Sequence, residues 1–306
     1  MNATAVVCAY SSLGTVALQS VLEAGISVQA LYTYEPTPED HWFTPPEVLA
    51  RAHHIPVLKL PDFNSEDNFR RCQEWKPDLL FSFYFREMIQ GRFLSIPKLG
   101  AYNLHGSLLP RYRGRAPINW VLANGEVETG LSLHCMTEKP DDGDIVGQIK
   151  IPIASEDTPL SLTQKMVEVA PALLRSVLPN LVMGQPQRQR QSDLGTSSYF
   201  GRRTPAHSEL RFEMTAQRAF NEIRAVAEPW PTAFLTLHGR RLYIPWALPS
   251  DEPCPAGHYR IHAGRCLLGF PLGSLTLHRL RLDPEKTSDD PQKHAEWLDL
   301  LGIPRA

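Results

Sequence analysis

The chemically most informative residues of the chain are an amide and an imidazole, Asn103 and His105, in the stretch GAYNLHGSLLP. Side chains alternate along a β-strand, so both point to the same side if residues 100–105 form a strand. Asparagine donates hydrogen bonds without carrying charge, and histidine donates or accepts them near neutral pH. The pair suits a reaction in which an oxygen becomes negative and a proton leaves a nucleophile. The alternative is a strand end whose polar side chains only satisfy the local backbone.

A group of carboxylates follows in the run KPDDGDIV, residues 139–146, in which Asp141 is the first of three aspartates. A carboxylate beside the imidazole would raise the pKa of His105 and hold its ring in one orientation. Asp-Gly sequences are also common in solvated hairpin turns, and the run taken by itself favours that simpler interpretation.

Other chemistries find less support in the sequence. The first strand is followed by CAYSSLGTV, whose single glycine, Gly14, cannot form the phosphate-binding loop of a dinucleotide fold or a P-loop. His53 and His54 are adjacent, so they do not converge on one metal ion, and no metal is expected. The chain has no GxSxG nucleophile elbow and no evident Cys–His pair. The arginines within residues 111–115 could grip a phosphate or carboxylate, or could form a solvated basic loop.

Length and composition limit the class of protein. A chain of 306 residues predicts two domains, and 42% hydrophobic residues allow a sizeable core. A formal charge of −2 gives no general reason to expect nucleic acid as a partner. Five cysteines never form CxxC, which favours reduced thiols over disulfides or a zinc site. The sequence has neither an apolar run of membrane-spanning length nor a signal-peptide pattern, so we expect a cytoplasmic protein.

The first hundred residues alternate between strand and helix patterns, which predicts a doubly wound parallel sheet of the α/β class. The predicted strands are residues 4–10, 26–32, 55–60, 78–85 and 100–105, and the predicted helices are residues 14–25, 46–54 and 64–75, the last capped by Asn64. A sheet of this kind binds ligands at the carboxyl ends of its strands, where Asn103 and His105 would lie.

The rest of the chain is less regular. Two strands (129–136 and 144–153), a long helix (160–183) broken near Pro171 and Pro179, and a linker (184–208) are predicted there. A helix at 216–227 then precedes five short strands that predict a small β-barrel or curled sheet: 233–237, 240–246, 258–262, 266–270 and 274–282. Residues 284–306 are expected to form a surface tail or a terminal helix.

Two longer stretches, NLHGSLLPRYRGRAPINWVLANGE from residue 103 and TGLSLHCMTEKPDDGDIVGQ from residue 129, resemble the folate-dependent formyltransferase family. Its members include methionyl-tRNA formyltransferases and sugar-nucleotide N-formyltransferases. The stretches FSFYFREMI (81–89), FGRRTP (200–205) and RAVAEPWPTAF (224–234) are most similar to the formyltransferase part of the bifunctional polymyxin-resistance enzymes, which act on UDP-4-amino-4-deoxy-L-arabinose. The resemblance extends over about residues 4–248.

The resemblance implies a Rossmann-like catalytic domain at residues 1–200 and an OB-like β-barrel domain with a terminal tail at residues 201–306. It implies catalytic roles for Asn103, His105 and Asp141, with the stiff loop after His105 shaping the cleft. The folate pocket would be lined by Glu87, Met88, Ile89, Arg115, Thr137, Glu138, Lys139, Pro140 and Asp141.

By the same resemblance, the formyl donor is 10-formyltetrahydrofolate and the acceptor is a small-molecule amine. The first expectation is the amino group of a nucleotide-linked aminosugar such as UDP-4-amino-4-deoxy-L-arabinose. Hydroxyornithine in siderophore synthesis, or a different aminosugar, is the alternative, because residues 34–43 differ from the corresponding loop of the polymyxin-resistance enzymes. The slightly acidic charge balance disfavours methionyl-tRNA, although the basic segment 188–203 would suit it.

Two further hypotheses belong to other classes of function. A folate-binding protein without catalysis could use the cleft as a sensor or as a subunit interface, but it would have no need of a poised proton carrier at His105. An NAD-dependent dehydrogenase is disfavoured because the glycine fingerprint is missing. The polymyxin-resistance enzymes continue into a dehydrogenase part, so we expect this chain to be either a stand-alone enzyme or one domain of a longer protein.

Overall fold

The computed structural model describes residues 3–37, 42–59, 62–285 and 287–306. The chain divides into two compact units. The first comprises Met1–Pro117, Glu128–Pro152 and Thr163–Gly201, and the second comprises Ile118–Val127, Ile153–Leu162 and Arg202–Ala306. The domain limits predicted from the sequence, residues 1–200 and 201–306, stay a prediction. Leu60, the predicted end of the third strand, and residues 38–41 of the loop 34–43 lie outside the described residues.

The first unit is built around a seven-stranded sheet. Eight strands precede the long helix of the chain: β1 (Thr4–Ala9), β2 (Ser27–Thr33), β3 (Val57–Lys59), β4 (Leu79–Phe83), β5 (Ala101–His105), β6 (Arg113–Gly114), β7 (Glu128–Cys135) and β8 (Ile145–Pro152). All but β6 join the sheet, in the order β3-β2-β1-β4-β5-β7-β8. The first five strands run parallel, whereas β7 pairs antiparallel with β5 and β8 antiparallel with β7. This confirms the predicted α/β, Rossmann-like fold.

Helices connect the parallel strands, because the chain must cross from the end of one parallel strand to the start of the next. They are α1 (Ser11–Glu23), α2 (Pro46–Ala52), α3 (Glu66–Trp75) and α4 (Gly91–Leu94), followed along the chain by α5 (Pro117–Ala123) and α6 (Pro159–Val182). All five residues of β4 are buried, which explains its continuous apolar sequence. Asn64 does not cap α3, because its side chain bonds instead to the Met88 carbonyl and the Gln90 N–H, at 2.9 Å each.

Two expectations about the middle of the chain were wrong. Helix α6 runs without a break through Pro171 and Pro179. An interior proline costs about 3 kcal/mol, but α6 buries a continuous apolar face that outweighs this cost: Met166, Ala170, Leu173, Leu174, Val177, Leu178 and Leu181. The supposed linker is not free either, because strand β9 (Tyr199–Phe200) pairs in parallel with β6 and Gln191 is only 3% exposed.

The second unit contains helix α7 (Ala216–Ala225) and a five-stranded antiparallel sheet, which confirms the predicted C-terminal β domain. Its strands are β10 (Ala233–Leu237), β11 (Arg240–Ser250), β12 (Tyr259–His262), β13 (Arg265–Phe270) and β14 (Gly273–Leu282), in the order β10-β11-β14-β13-β12. The terminal segment forms helix α8 (Pro291–Leu300), whose Trp297 and Leu298 are buried in the core of this unit. The tail is therefore a packed helix and not a surface extension.

Within the described ranges, no helix is both long enough and apolar enough to cross a membrane.

Candidate active site

The site begins at the carboxyl end of β5, in the middle of the first unit's sheet. Asn103 and His105 lie on this strand, and the register of the antiparallel pair β5–β7 sets Asn103 directly opposite His134. Directly opposed residues on paired strands have neighbouring side chains. The Asn103 Nδ2 atom lies 3.1 Å from the Nε2 atom of His134, which is 2% exposed. The strand pairing therefore brings a second imidazole to the predicted site.

Asp141 reaches the same place on the loop between β7 and β8. Its backbone has a φ of +52°, in the left-handed region that costs energy for a residue with a side chain. Gly143 permits the tight path of the loop, because a Cβ atom there would lie 1.9 Å from the Cys135 carbonyl oxygen. The Gly114 N–H donates a 2.9 Å hydrogen bond to Asp141 Oδ2. The loop thus holds one carboxylate of the KPDDGDIV run inward.

Three side chains surround one oxygen of this carboxylate. Asp141 Oδ1 lies 3.5 Å from His105 Nδ1, 3.3 Å from His134 Nε2 and 3.4 Å from Asn103 Nδ2. The structure therefore brings together the three residues expected to be catalytic, although they lie up to 38 positions apart in the sequence. It also adds His134, which was not among the residues predicted for the site.

The hydrogen bond of His105 decides which ring nitrogen carries the proton. Its Nε2 atom lies 2.7 Å from the backbone carbonyl oxygen of Tyr112. A carbonyl can only accept, so Nε2 donates, and in the neutral ring Nδ1 keeps its lone pair. Tyr112 is itself held by its ring, which stacks on Phe200 with 4.9 Å between centroids. His105 therefore points an unprotonated nitrogen toward Asp141.

The electrostatics differ from the sequence-based expectation for His105. Burial lowers the pKa of His105, and the attraction of Asp141 and the Tyr112 carbonyl offset this effect only in part. Asp141 does raise the pKa of His105 as expected, but burial lowers this pKa by more, because the ring is 6% exposed and loses its hydration. Near neutral pH, His105 is uncharged in this state.

Asp141 stays ionised. Burial would raise the pKa of Asp141, but the nearby imidazoles and the Gly114 N–H outweigh this effect and hold its pKa well below the usual range. The attraction of the imidazoles requires their protonated form, whereas the Gly114 N–H acts at every pH. The site thus pairs a fixed negative charge with an imidazole that is ready to accept a proton.

Gln191, in the segment expected to be a linker, also belongs to this site. Its amide nitrogen donates to the backbone carbonyls of Asp141 and Gly143, at 2.8 Å each. Its carbonyl oxygen accepts from the Arg113 guanidinium at 2.9 and 2.7 Å, and Arg113 in turn pairs with Asp142 at 2.5 Å. This network fixes the backbone on both sides of the Asp141 carboxylate. No sequence pattern predicts this role of Gln191, since a glutamine in a polar run cannot be distinguished from one that is exposed to solvent.

The first predicted wall of the folate pocket, Glu87 to Ile89, follows β4. The Glu87 side chain accepts a 2.9 Å hydrogen bond from the Phe63 N–H, and the Ile89 side chain is buried in the core. Met88 is 50% exposed and its carbonyl is held by Asn64. The wall is therefore a fixed backbone segment with one exposed apolar side chain.

The second predicted wall lies beside the first. A Cβ atom on Gly91, just after Ile89, would lie 2.2 Å from the Glu138 carboxylate, so the two loops touch. Thr137, Glu138 and Lys139 are exposed and Pro140 is half-buried, with the Thr137 hydroxyl donating to the Lys139 carbonyl at 3.0 Å. The Arg115 side chain is exposed, one residue beyond Gly114, which contacts Asp141. Asp141 is therefore the predicted pocket residue that lies beside Asn103 and His105, and the two predicted walls touch at Gly91 and Glu138.

Among the described residues, no group of three or more His, Cys, Asp or Glu side chains is arranged to hold a metal ion.

Comparison with known proteins agrees with this fold. Residues 14–178 match the formyl transferase family, and residues 203–288 match the C-terminal domain of formyl transferases. The first match alone covers more than half of the chain. The chain therefore belongs to the formyl transferase family, and it is a formyltransferase, an enzyme of one-carbon transfer.

Solved structures of similar fold include two that were determined in the presence of dTDP or a dTDP-linked sugar. WlaRD, a sugar 3N-formyl transferase solved with dTDP and 5-N-formyl-THF, has 17% identity and a TM-score of 0.69 over 94% of this chain and 100% of its own. An N-formyltransferase from Helicobacter canadensis, solved with folinic acid and dTDP-3-aminofucose, has 20% identity and a TM-score of 0.71 over 90% and 99%. A methionyl-tRNA formyltransferase from Clostridium thermocellum has 16% identity and a TM-score of 0.58 over 84% and 97%. At these identities the likeness shows the fold.

Proposed function

We propose that this protein transfers a formyl group from 10-formyltetrahydrofolate to the amino group of a nucleotide-linked aminosugar, with UDP-4-amino-4-deoxy-L-arabinose as the first acceptor to test. The observation that carries the proposal is the convergence of Asn103 and His105 at a strand end on Asp141, whose Oδ1 atom lies 3.4 and 3.5 Å from their side chains. The folate-bound sugar formyltransferases of similar fold support both the donor and the class of acceptor. The motifs at 81–89, 200–205 and 224–234 support the particular sugar.

The residues around the catalytic three fit a reduced folate. When it is bound, the reduced folate supplies the formyl group that is transferred. Residues 87–89 would offer backbone groups and the exposed Met88 side chain to the flat pterin ring, and Thr137 to Asp141 would close the other side. Arg115, whose side chain is exposed beside the site, would face the acidic part of the folate or the phosphates of the acceptor. We assign the catalytic role to residues 1–200 and a supporting one to residues 201–306.

In the proposed reaction, each catalytic residue has one task. Asn103 donates an amide hydrogen to the formyl oxygen as it becomes negative, and losing such a donor costs about 2.7–4 kcal/mol of barrier. His105 accepts at Nδ1 the proton that leaves the attacking amine, because its Nε2 hydrogen is held by Tyr112. Asp141 stabilises the resulting imidazolium across 3.5 Å. His105 then returns the proton to the folate nitrogen as the bond between that nitrogen and the formyl carbon breaks, which leaves the formyl carbon bonded to the amine.

The test is an assay of the full chain with 10-formyltetrahydrofolate and a panel of amines, followed by tetrahydrofolate release. The panel contains UDP-4-amino-4-deoxy-L-arabinose, a dTDP-linked 3-aminosugar, hydroxyornithine and methionyl-tRNA. Turnover is expected with a nucleotide aminosugar and is expected to disappear in His105→Ala. Turnover with hydroxyornithine or methionyl-tRNA alone would overturn the acceptor class. Tight folate binding without any product would favour a folate-binding protein that lacks catalysis.

A further inference from the structure

His134 is buried beside the catalytic three. It lies on β7 opposite Asn103 and is 2% exposed. Its Nδ1 atom lies 2.8 Å from the Cys135 carbonyl oxygen, and its Nε2 atom faces both Asn103 Nδ2 and Asp141 Oδ1. A buried histidine that only satisfied the backbone would need just the first of these contacts. The second nitrogen faces two residues of the site.

The contacts of His134 define its tautomer. The Cys135 carbonyl can only accept, so Nδ1 of His134 carries a proton and donates it. In the neutral ring the other nitrogen, Nε2, then keeps its lone pair, and it lies 3.1 Å from the Asn103 Nδ2 atom. The neutral form of His134 therefore carries its hydrogen on Nδ1.

This tautomer selects the orientation of the Asn103 amide. An amide side chain can present either its oxygen or its NH2 group to a neighbour, because the two ends have nearly the same shape. With a lone pair on His134 Nε2, the NH2 end is favoured on this side. Turning the amide over would instead place its oxygen about as close to the ionised Asp141 carboxylate as Nδ2 is now, 3.4 Å, which is repulsive. The second hydrogen of the NH2 group makes only a long contact with Asp141 Oδ1, at 3.4 Å, and the reacting formyl oxygen would compete for it.

We propose that His134 is a positioning residue, which holds the NH2 group of Asn103 toward the reacting formyl oxygen by accepting one of its two hydrogens. The proposal rests on the proposed function in one respect, the oxyanion role of Asn103. The Cys135 carbonyl fixes the tautomer of His134, and this tautomer in turn fixes the orientation of the Asn103 amide. In this proposal His134 does not touch the substrate and acts on the reaction through Asn103.

The kinetic test compares two substitutions of similar size. His134→Gln keeps a hydrogen-bond acceptor near the position of Nε2, whereas His134→Leu fills the space without one. We expect His134→Leu to lower kcat by at least about tenfold, approaching the roughly hundredfold to thousandfold loss typical of a missing donor. KM for the folate is expected to stay within about twofold, and His134→Gln to recover most of kcat. Equal losses in both variants would overturn the proposal.

A double-mutant cycle shows whether the effect passes through Asn103. In an Asn103→Ala background, His134→Leu is expected to change kcat by no more than about twofold, because coupled residues are strongly non-additive. Ser132→Ala, on the same strand and opposite His105, serves as the comparison, and its effect is expected to be the same in both backgrounds. A full additional loss from His134→Leu in the Asn103→Ala background would mean that His134 acts independently of Asn103.

Nitrogen NMR of the wild-type protein tests the tautomer without any substitution, so it does not depend on a variant that folds. The His134 ring is expected to show a protonated Nδ1 and an unprotonated Nε2 near neutral pH. A protonated Nε2 would overturn the proposal even if the assay succeeds. Conversely, a wild-type protein that turns over none of the amines overturns the proposed function, while the NMR result still decides the orientation of the Asn103 amide.

Discussion

Each unit of this protein buries a carboxylate between two basic side chains, but the partners differ. In the first unit, Asp141 faces the imidazoles of His105 and His134 at 3.5 and 3.3 Å. In the second unit, Glu222 on α7, 3% exposed, pairs with the guanidinium of Arg203 at 2.6 Å and with that of Arg218.

The chemical difference lies in the protons. A guanidinium stays charged at any pH that a folded protein experiences, so the Glu222 cluster is a permanent ion pair. The Arg203 guanidinium also stacks on the Trp120 ring, 4.6 Å from its centroid, which fixes it further. An imidazole gains and loses its proton near neutral pH, so the Asp141 cluster can take up a proton and release it. In both units the carboxylate is buried, and its partners decide whether the cluster is a permanent ion pair or one that can exchange a proton.

The largest expected effect is on catalysis, from Asp141→Asn. The substitution keeps the shape of the side chain but removes the charge that stabilises the His105 imidazolium. We expect kcat to fall by about a thousandfold to ten-thousandfold, as for a charge removed from a His–Asp pair, with the melting temperature nearly unchanged. Asp142→Asn, at the neighbouring carboxylate that pairs with Arg113, is the control and should retain activity within about threefold. Similar losses in both variants would remove the distinction between these two carboxylates.

Glu222→Gln should have the opposite effect to Asp141→Asn, because it should lower stability and not catalysis. It leaves Arg203, whose side chain is 8% exposed, as a buried charge without its carboxylate, whereas Arg218 at 42% can return to water. Removing one partner of a buried pair typically costs about 3–5 kcal/mol of the free energy of unfolding. Urea unfolding measures this loss, and Glu228→Gln, at a 67% exposed position, is the control. If the fall in kcat of the folded variant, expressed as a free energy, exceeds its loss of unfolding free energy, a purely structural role of Glu222 is contradicted.

Gln191→Ala tests whether the fixed backbone of the Asp141 loop matters for catalysis. The alanine cannot hold the carbonyls of Asp141 and Gly143, so the carboxylate should sample other positions. We expect kcat to fall by about tenfold, equivalent to about 1.4 kcal/mol of barrier, with a smaller change in stability. Ser192→Ala, at the exposed next position, should behave as the wild type. An unchanged kcat in Gln191→Ala would show that the loop holds its shape without this residue.

The smallest expected effect concerns pH. Because burial lowers the pKa of His105 below its ordinary 6.5, the acid limb of the kcat/KM profile should lie below pH 6.5. The lowered pKa also affects stability, because below pH 6.5 the unfolded chain binds more protons at His105 than the folded one does. The contribution of the buried, uncharged His105 to the free energy of unfolding is therefore complete above pH 6.5 and is lost as the pH falls through the folded pKa. His53→Gln, which removes an exposed imidazole, should leave the profile unchanged. A limb centred above pH 6.5 would show that the charged ring is the active form.

Periodic sequence patterns were enough to predict the parallel sheet and the strands of the second unit, because each buries apolar residues at a regular spacing. The same patterns placed Asn103 and His105 at the end of a strand, with both side chains on the same face of that strand. Asp141 reaches Asn103 and His105 on the loop after β7, and only the resemblance to a known family indicated that Asp141 belongs to the site. His134 lies in the apolar strand LSLHC, where a histidine looks like an ordinary core residue. The pairing of β5 with β7, which sets it against Asn103, is a long-range contact that no local pattern contains.

The short pairing of β9 with β6 has a practical consequence for dissecting this enzyme. Gln191 and β9 fall between the two matches to the family, which end at residue 178 and resume at residue 203. An N-terminal fragment cut at the end of the first match would keep Asn103, His105 and Asp141 but would lose the strand beside Gly114 and the amide that fixes the Asp141 backbone. Fragments intended for ligand screening or crystallisation should therefore extend to residue 201.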